Sequence, residues 1–218
     1  MAVVPRIFRL GPLWVAVATL YAPVGAHARQ DVPLLDRSEP ITYFIADGPT
    51  ESGGARQDRL LASWALQAWA EQADPPLDLV EGPEESATIR VYWVRAGSGL
   101  YGEMRSRGIG ATFSADVFVS PDTDGLGPDI AQAARLDPLF RDTVVYLTCV
   151  HELGHAFGLG HTASFADIMY SFQYGGDFVE YFARFRERLS VRDDIRQASA
   201  FSAADRDAFK SLYSNGGH

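Results

Sequence analysis

The run His151-Glu152-Leu153-Gly154-His155-Ala156-Phe157-Gly158-Leu159-Gly160-His161 constrains this chain more than any other feature. On a helix, residues four apart project from one face, so His151 and His155 present two imidazoles one turn apart. Two nitrogens at that separation can share one zinc ion at about 2.0–2.1 Å each. Gly158 suits the left-handed conformation that ends a helix and turns the chain back. Gly160 adds freedom just before His161, which then arrives from outside the helix as a third ligand. Three neutral imidazoles leave a fourth position for water, the make-up of an open catalytic zinc site rather than a closed structural one. Glu152, beside the first ligand, can reach that water without being a ligand itself. The short pattern His-Glu-x-x-His arises by chance in about one chain in 200 of this composition, and the added glycine and third histidine lower that to about one in 100,000.

The histidine census sharpens the reading. The chain holds five histidines, three of them in this run. With 218 residues it has enough length for one ordinary domain and too little for two full ones. Its hydrophobic share of 47% excludes a disordered chain. Nineteen basic residues against 28 acidic ones give a net charge of -9, and Lys210 is the sole lysine. Such an acidic chain has no overall electrostatic case for nucleic acid or an anionic membrane surface. A single cysteine, Cys149, excludes an intramolecular disulfide and any multi-cysteine metal site. It lies on a different helical face from His151 and reads as a buried thiol.

The first 28 residues read as an export signal. Arg6 and Arg9 precede an apolar run, Leu10 to Val24, which closes on Ala26-His27-Ala28, a small-x-small cleavage pattern. The run is short for a membrane span, although an uncleaved signal anchor is the alternative. Cleavage after Ala28 makes the product secreted or periplasmic, with no membrane span left. Residues 29–40 follow as a polar lead-in, and 41–218 as one domain.

Within that domain, Ile41 to Ile45, Leu77 to Val80, Ala87 to Val94 and Val117 to Val119 read as strands. Ala55 to about Gln72 has helical spacing in Leu61, Trp64, Ala65 and Ala68. A Gly-rich stretch runs from Gly97 to Gly110, and Ser120 to Pro128 reads as a loop. From about Asp142 the period is helical again, with Tyr146, Val150, Leu153 and Phe157 on one stripe. Phe178, Tyr181, Phe182, Phe185 and Leu189 suggest another amphipathic helix, whose aromatics either line a pocket or join the core. Its charges, Glu180, Arg184, Arg186, Glu187 and Arg188, form a wet face, with a basic docking site as the minor alternative. Ser202 and Asp205 make a capping box that opens a last helix through Tyr213. Strands first and helices later point to α+β.

The extended histidine run resembles the zinc signature of the metzincin metallopeptidases. Asp167-Ile168-Met169-Tyr170 is similar to that family's Met-turn, and the Ile-Met-Tyr wording with the closing helix is most similar to the matrixin branch. The resemblance implies an α+β fold with a small twisted, mostly parallel sheet, an antiparallel edge strand, an active-site helix, the Met-turn and a C-terminal helix. It implies one catalytic Zn2+ on His151, His155 and His161, Glu152 as general base, Met169 as the structural methionine and a helix break at Gly158. A zinc-activated water would then hydrolyse peptide bonds in a protein or peptide substrate lying along the edge strand, placed in residues 107–116. Two departures from matrix metalloproteinases stand out. No cysteine precedes the first strand to block the zinc, and no histidine lies between residues 29 and 150 to hold a second, structural zinc.

Asp122, Asp124, Gly125 and Asp129 loosely resemble a calcium loop but lack its spacing and closing glutamate, so a solvated acidic loop is the stronger reading. Two alternatives to a general endopeptidase remain: a zinc-binding module that only docks a partner, and a dedicated processing enzyme with a narrow target. The intact Glu152 speaks against the first, because a docking module has no need of a base.

Overall fold

The central strands are built from alternating β-branched and aromatic residues that can be buried on both sides. The computed structural model describes residues 34–48, 56–95, 101–108 and 113–213. The segment read as an export signal, the cleavage point expected after Ala28, and His218 lie outside the described residues. Five strands, β1 (Ile41–Ile45), β2 (Leu79–Glu81), β3 (Ile89–Trp93), β4 (Gly102–Arg107) and β5 (Ser114–Val119), form one sheet in the order β2-β1-β3-β5-β4. All neighbours are parallel except β4, which runs antiparallel to β5 at the sheet edge. Ile89, Val91, Ala115, Val117 and Val119 are all fully buried. Arg90 and Asp116 are cross-strand partners in the β3–β5 register and form an ion pair at 2.6 Å. Arg107 reaches the other Asp116 oxygen at 3.1 Å. A charge buried in a sheet persists only when paired in this way.

Five helices complete the domain: α1 (Arg56–Ala70), α2 (Pro128–Leu136), α3 (Pro138–Ala156), α4 (Phe178–Arg186) and α5 (Ala203–Tyr213). Helix α3 is apolar nearly all round and runs through the core, as such a helix must. It packs on α1 and on strands β4 and β5. Trp69 of α1 is fully buried; its ring centroid lies 4.4 Å from Phe201 and 4.7 Å from Phe209, and its Nε1–H donates to the Val150 carbonyl at 2.7 Å. The expected capping box opens α5: Asp205 N donates to Ser202 Oγ at 3.0 Å, and Ser202 N to Asp205 Oδ2 at 2.8 Å. The lead-in is more than a polar tether, because Leu35 is buried in the core and Arg37 holds the Tyr213 carbonyl.

The structure departs from the sequence reading in two places. Helix α3 starts at Pro138, not near Asp142, and α2 precedes it. Both helices carry Pro at their first position, and Asp137 caps α3 by accepting from Leu139 N and Phe140 N. The antiparallel edge strand is Gly102–Arg107, inside the stretch read as Gly-rich, and residue 114 already belongs to β5. An edge strand has one neighbour and an exposed side, so Glu103, Arg105, Ser106 and Arg107 are tolerated there and conceal the strand pattern.

Candidate metal centre

The last turns of α3 carry His151 and His155, and the chain then reverses at Gly158. Gly158 has φ +96°, its N–H donates to the His155 carbonyl, and Leu159 N donates to the Gly154 carbonyl, both at 2.9 Å. These two bonds make a Schellman cap, which needs a left-handed residue where glycine stands. The reversal brings His161 back over the helix. Its Nε2 lies 3.2 Å from Nε2 of His151 and 3.1 Å from Nε2 of His155.

The outer nitrogens decide the chemistry of the inner ones. His151 Nδ1–H donates to the Ile168 carbonyl at 2.7 Å, and His155 Nδ1–H to the Leu159 carbonyl at 2.8 Å. A carbonyl can only accept, so in each neutral ring the proton sits on Nδ1 and Nε2 turns a lone pair inward. Burial, reinforced by the neighbouring imidazole, holds His151 down at about 4 and His155 at about 3, and burial also lowers His161. The three inward nitrogens lie within 4.8 Å of one another. A cation placed between these nitrogens would take all three lone pairs when His161 carries its proton on Nδ1. Tetrahedral coordination at 2.0–2.1 Å puts ligand atoms roughly 3.3–3.4 Å apart, close to the spacing seen. The donor set therefore fits a zinc ion.

The Ile168 carbonyl is itself fixed. Tyr181 of α4 donates its phenol O–H to the carbonyls of Asp167 (3.0 Å) and Ile168 (3.2 Å), and Ile168 N donates to Asp205 Oδ2 at 2.9 Å. Such outer contacts orient a ligating ring. Neither Tyr181 nor Asp205 was identified as part of the site from the sequence, because each reaches it from a separate helix. The next residue, Met169, is fully buried beneath α3, where a Cβ on Gly154 would collide with its sulfur. Met169 O accepts from Thr162 N, tying the turn to the residue after His161.

Glu152 is buried on the neighbouring face of α3, where it meets the edge strand. Burial and the charge of Glu103 push its carboxyl up to about 8, while the Met104 amide draws it down. Gly102 leaves the room it occupies, since a Cβ there would stand 2.6 Å from Glu152 Cγ. Cys149 is fully buried, and burial raises its thiol far above its ordinary range. In the acidic loop, Asp122 accepts from Asp124 N, and Asp124 pairs with Arg135 at 2.6 Å.

Beside His151 and Glu152 opens a cavity of about 270 Å³ walled by Tyr101, Leu147, Tyr170, Phe172, Phe178, Tyr181 and Phe182. Tyr101 stacks on Phe178 with centroids 5.4 Å apart, and Phe178 on Phe172 at 4.0 Å. Of the α4 aromatics, Phe178, Tyr181 and Phe182 line this cavity and Phe185 does not; Tyr181, Phe182, Phe185 and, beyond the helix, Leu189 all pack into the core.

A mostly parallel sheet with one antiparallel edge, a helix bearing two histidines that breaks to bring in a third, and a buried methionine turn define a metallopeptidase of the metzincin class. The matrixin family model matches residues 36–178, well over half of the chain, and the chain belongs to that family. No curated relative matches it.

Proposed function

We propose that the chain is an exported zinc endopeptidase, with His151, His155 and His161 as metal ligands and Glu152 as general base. The observation that carries the reading is the pinning of the His151 and His155 Nδ1 protons on backbone carbonyls, which turns the Nε2 lone pairs toward a common point. Zinc bound there supplies Lewis acidity, polarising a peptide carbonyl and lowering the pKa of water to near 7. Glu152 takes the proton of the attacking water on a carboxylate oxygen and delivers it to the departing amine. Beside a metal cation its carboxylate form is favoured, against the desolvation that raises its pKa in isolation. The exposed edge of β4 accepts the substrate main chain as an added strand, and the aromatic cavity receives a substrate side chain. Met169 supports the helix from below. Export is supported by the basic, apolar and small-residue layout of residues 1–28.

The test pairs metal analysis with cleavage of a panel of unfolded proteins. The purified chain should hold one zinc and cut the panel broadly in a chelator-sensitive way. Glu152→Ala should keep the zinc and lose turnover by at least about 100-fold. Zinc retained with nothing cleaved by the unaltered chain would favour a docking module or a narrow processing enzyme. Loss of zinc in Glu152→Ala would remove Glu152 from its assigned role.

A further inference from the structure

A second pocket, of about 320 Å³, lies behind the wall of the first, between α4, the segment 199–202 and the turn at Ile168. Leu147 and Tyr181 line both. Its floor is apolar, with Ile168, Phe185 and Phe201, while Arg184 of α4 and Arg188 just beyond it stand at the rim. The guanidiniums are laid on aromatic faces: Arg184 is 4.6 Å from the Phe165 centroid and 4.8 Å from that of Tyr181, and Arg188 is 4.6 Å from that of Phe185. Each donates to a backbone carbonyl, Arg184 to Tyr181 at 3.4 Å and Arg188 to Ser199 at 2.8 Å.

Elsewhere in this acidic chain Arg59, Arg90, Arg135, Arg141, Arg186 and Arg192 meet carboxylates, whereas Arg37 and Arg206 donate to backbone carbonyls and Arg196 lies over the Trp64 ring. Among the described residues, no carboxylate lies within the 4.0 Å ion-pair distance of Arg184 or Arg188. The Asp205 carboxylate beside the pocket accepts from Ser202 N and Ile168 N. Burial and the charge of Arg184 together press the Arg188 guanidinium below its ordinary range. Two neighbouring cations over an apolar floor, in a chain of net charge -9, form a local site for a counter-ion. Stacking pre-orients the planar forks that suit a carboxylate.

We propose that this pocket is a second binding site, which takes a carboxylate on an apolar stem, offered by an acidic side chain of a peptide. The peptide nature of the ligand rests on the peptidase reading; the charge requirement does not. Peptides with Glu or Asp among Leu and Phe residues are therefore bound in preference to neutral ones.

The full chain carrying Glu152→Ala, titrated with a fluorescent peptide of Leu, Phe and Glu and with its Gln-for-Glu counterpart, reads the site without turnover. The acidic peptide should bind about tenfold tighter at low ionic strength, and Arg184→Gln/Arg188→Gln should abolish the difference. Inorganic phosphate, added as competitor to the chain with both arginines intact, should displace the acidic peptide and leave the neutral one bound. Equal affinity for the two peptides, or an acidic peptide that phosphate does not displace, overturns the site. In the active chain the acidic substrate should show the lower KM at unchanged kcat. Cleavage of both peptides without an affinity difference defeats this site alone; an affinity difference without any cleavage defeats the peptidase reading alone.

Discussion

Gly102 holds its place because of what it faces. A Cβ there would stand 2.6 Å from Glu152 Cγ and 2.9 Å from Thr148 Cγ2, both on the core helix, so one of these side chains would have to move. Gly102→Ala should therefore push Glu152 aside and lower kcat/KM by about 100-fold while zinc content stays at one per chain, since a displacement of about 1 Å in a catalytic group costs that much. Undiminished turnover would mean that the carboxylate position is unimportant. The three histidines and Glu152 were legible in the sequence because they share one short run, where helical spacing and one glycine fix their relation. Gly102 was not, because its role exists only once the edge strand lies against α3.

At the scale of elements, Asp137 links two helices. It caps α3 through Leu139 N and Phe140 N, and its second oxygen accepts from Arg186 of α4 at 2.7 Å. Burial alone would raise its carboxyl, but the Arg186 hydrogen bond and charge and the two amides outweigh it, so the folded pKa lies below the ordinary value. Asp137→Ala should destabilise the protein by about 1–2 kcal/mol at neutral pH, mostly as a lost cap, since the partly exposed ion pair is screened. Because the folded pKa is depressed, this stability is present above the unfolded value near 4 and is lost as pH falls through the folded one. Urea denaturation should show the gap between parent and variant closing below about pH 4; a gap constant down to pH 3 would contradict the assignment. The Pro128 and Pro138 starts show that the signals for α2 and the true start of α3 stood in the sequence. The edge strand carried none, because one-sided pairing imposes no apolar alternation.

For the whole molecule, Trp69 joins the parts that hold the site. Its ring packs against Phe157, Phe201 and Phe209, and its N–H meets Val150 one residue before the first histidine. Trp69→Ala should cost about 3–5 kcal/mol, read in thermal or chemical denaturation, and should loosen zinc with it, because the cavity opens directly under α3. A loss below about 1 kcal/mol would place the stabilising packing elsewhere. The histidine spacing that suits a metal, the helix break and the α+β class could all be read from the chain's local pattern, because spacing, helical period and glycine conformation are properties of neighbouring residues. Which strand forms the edge, the bracing of the turn behind His151 by Tyr181 and Asp205, and the place of α4 between one cavity and an arginine-rimmed second one emerge only from the folded packing. Those relations join segments distant along the chain, and they are set by how buried surfaces close-pack rather than by any local pattern.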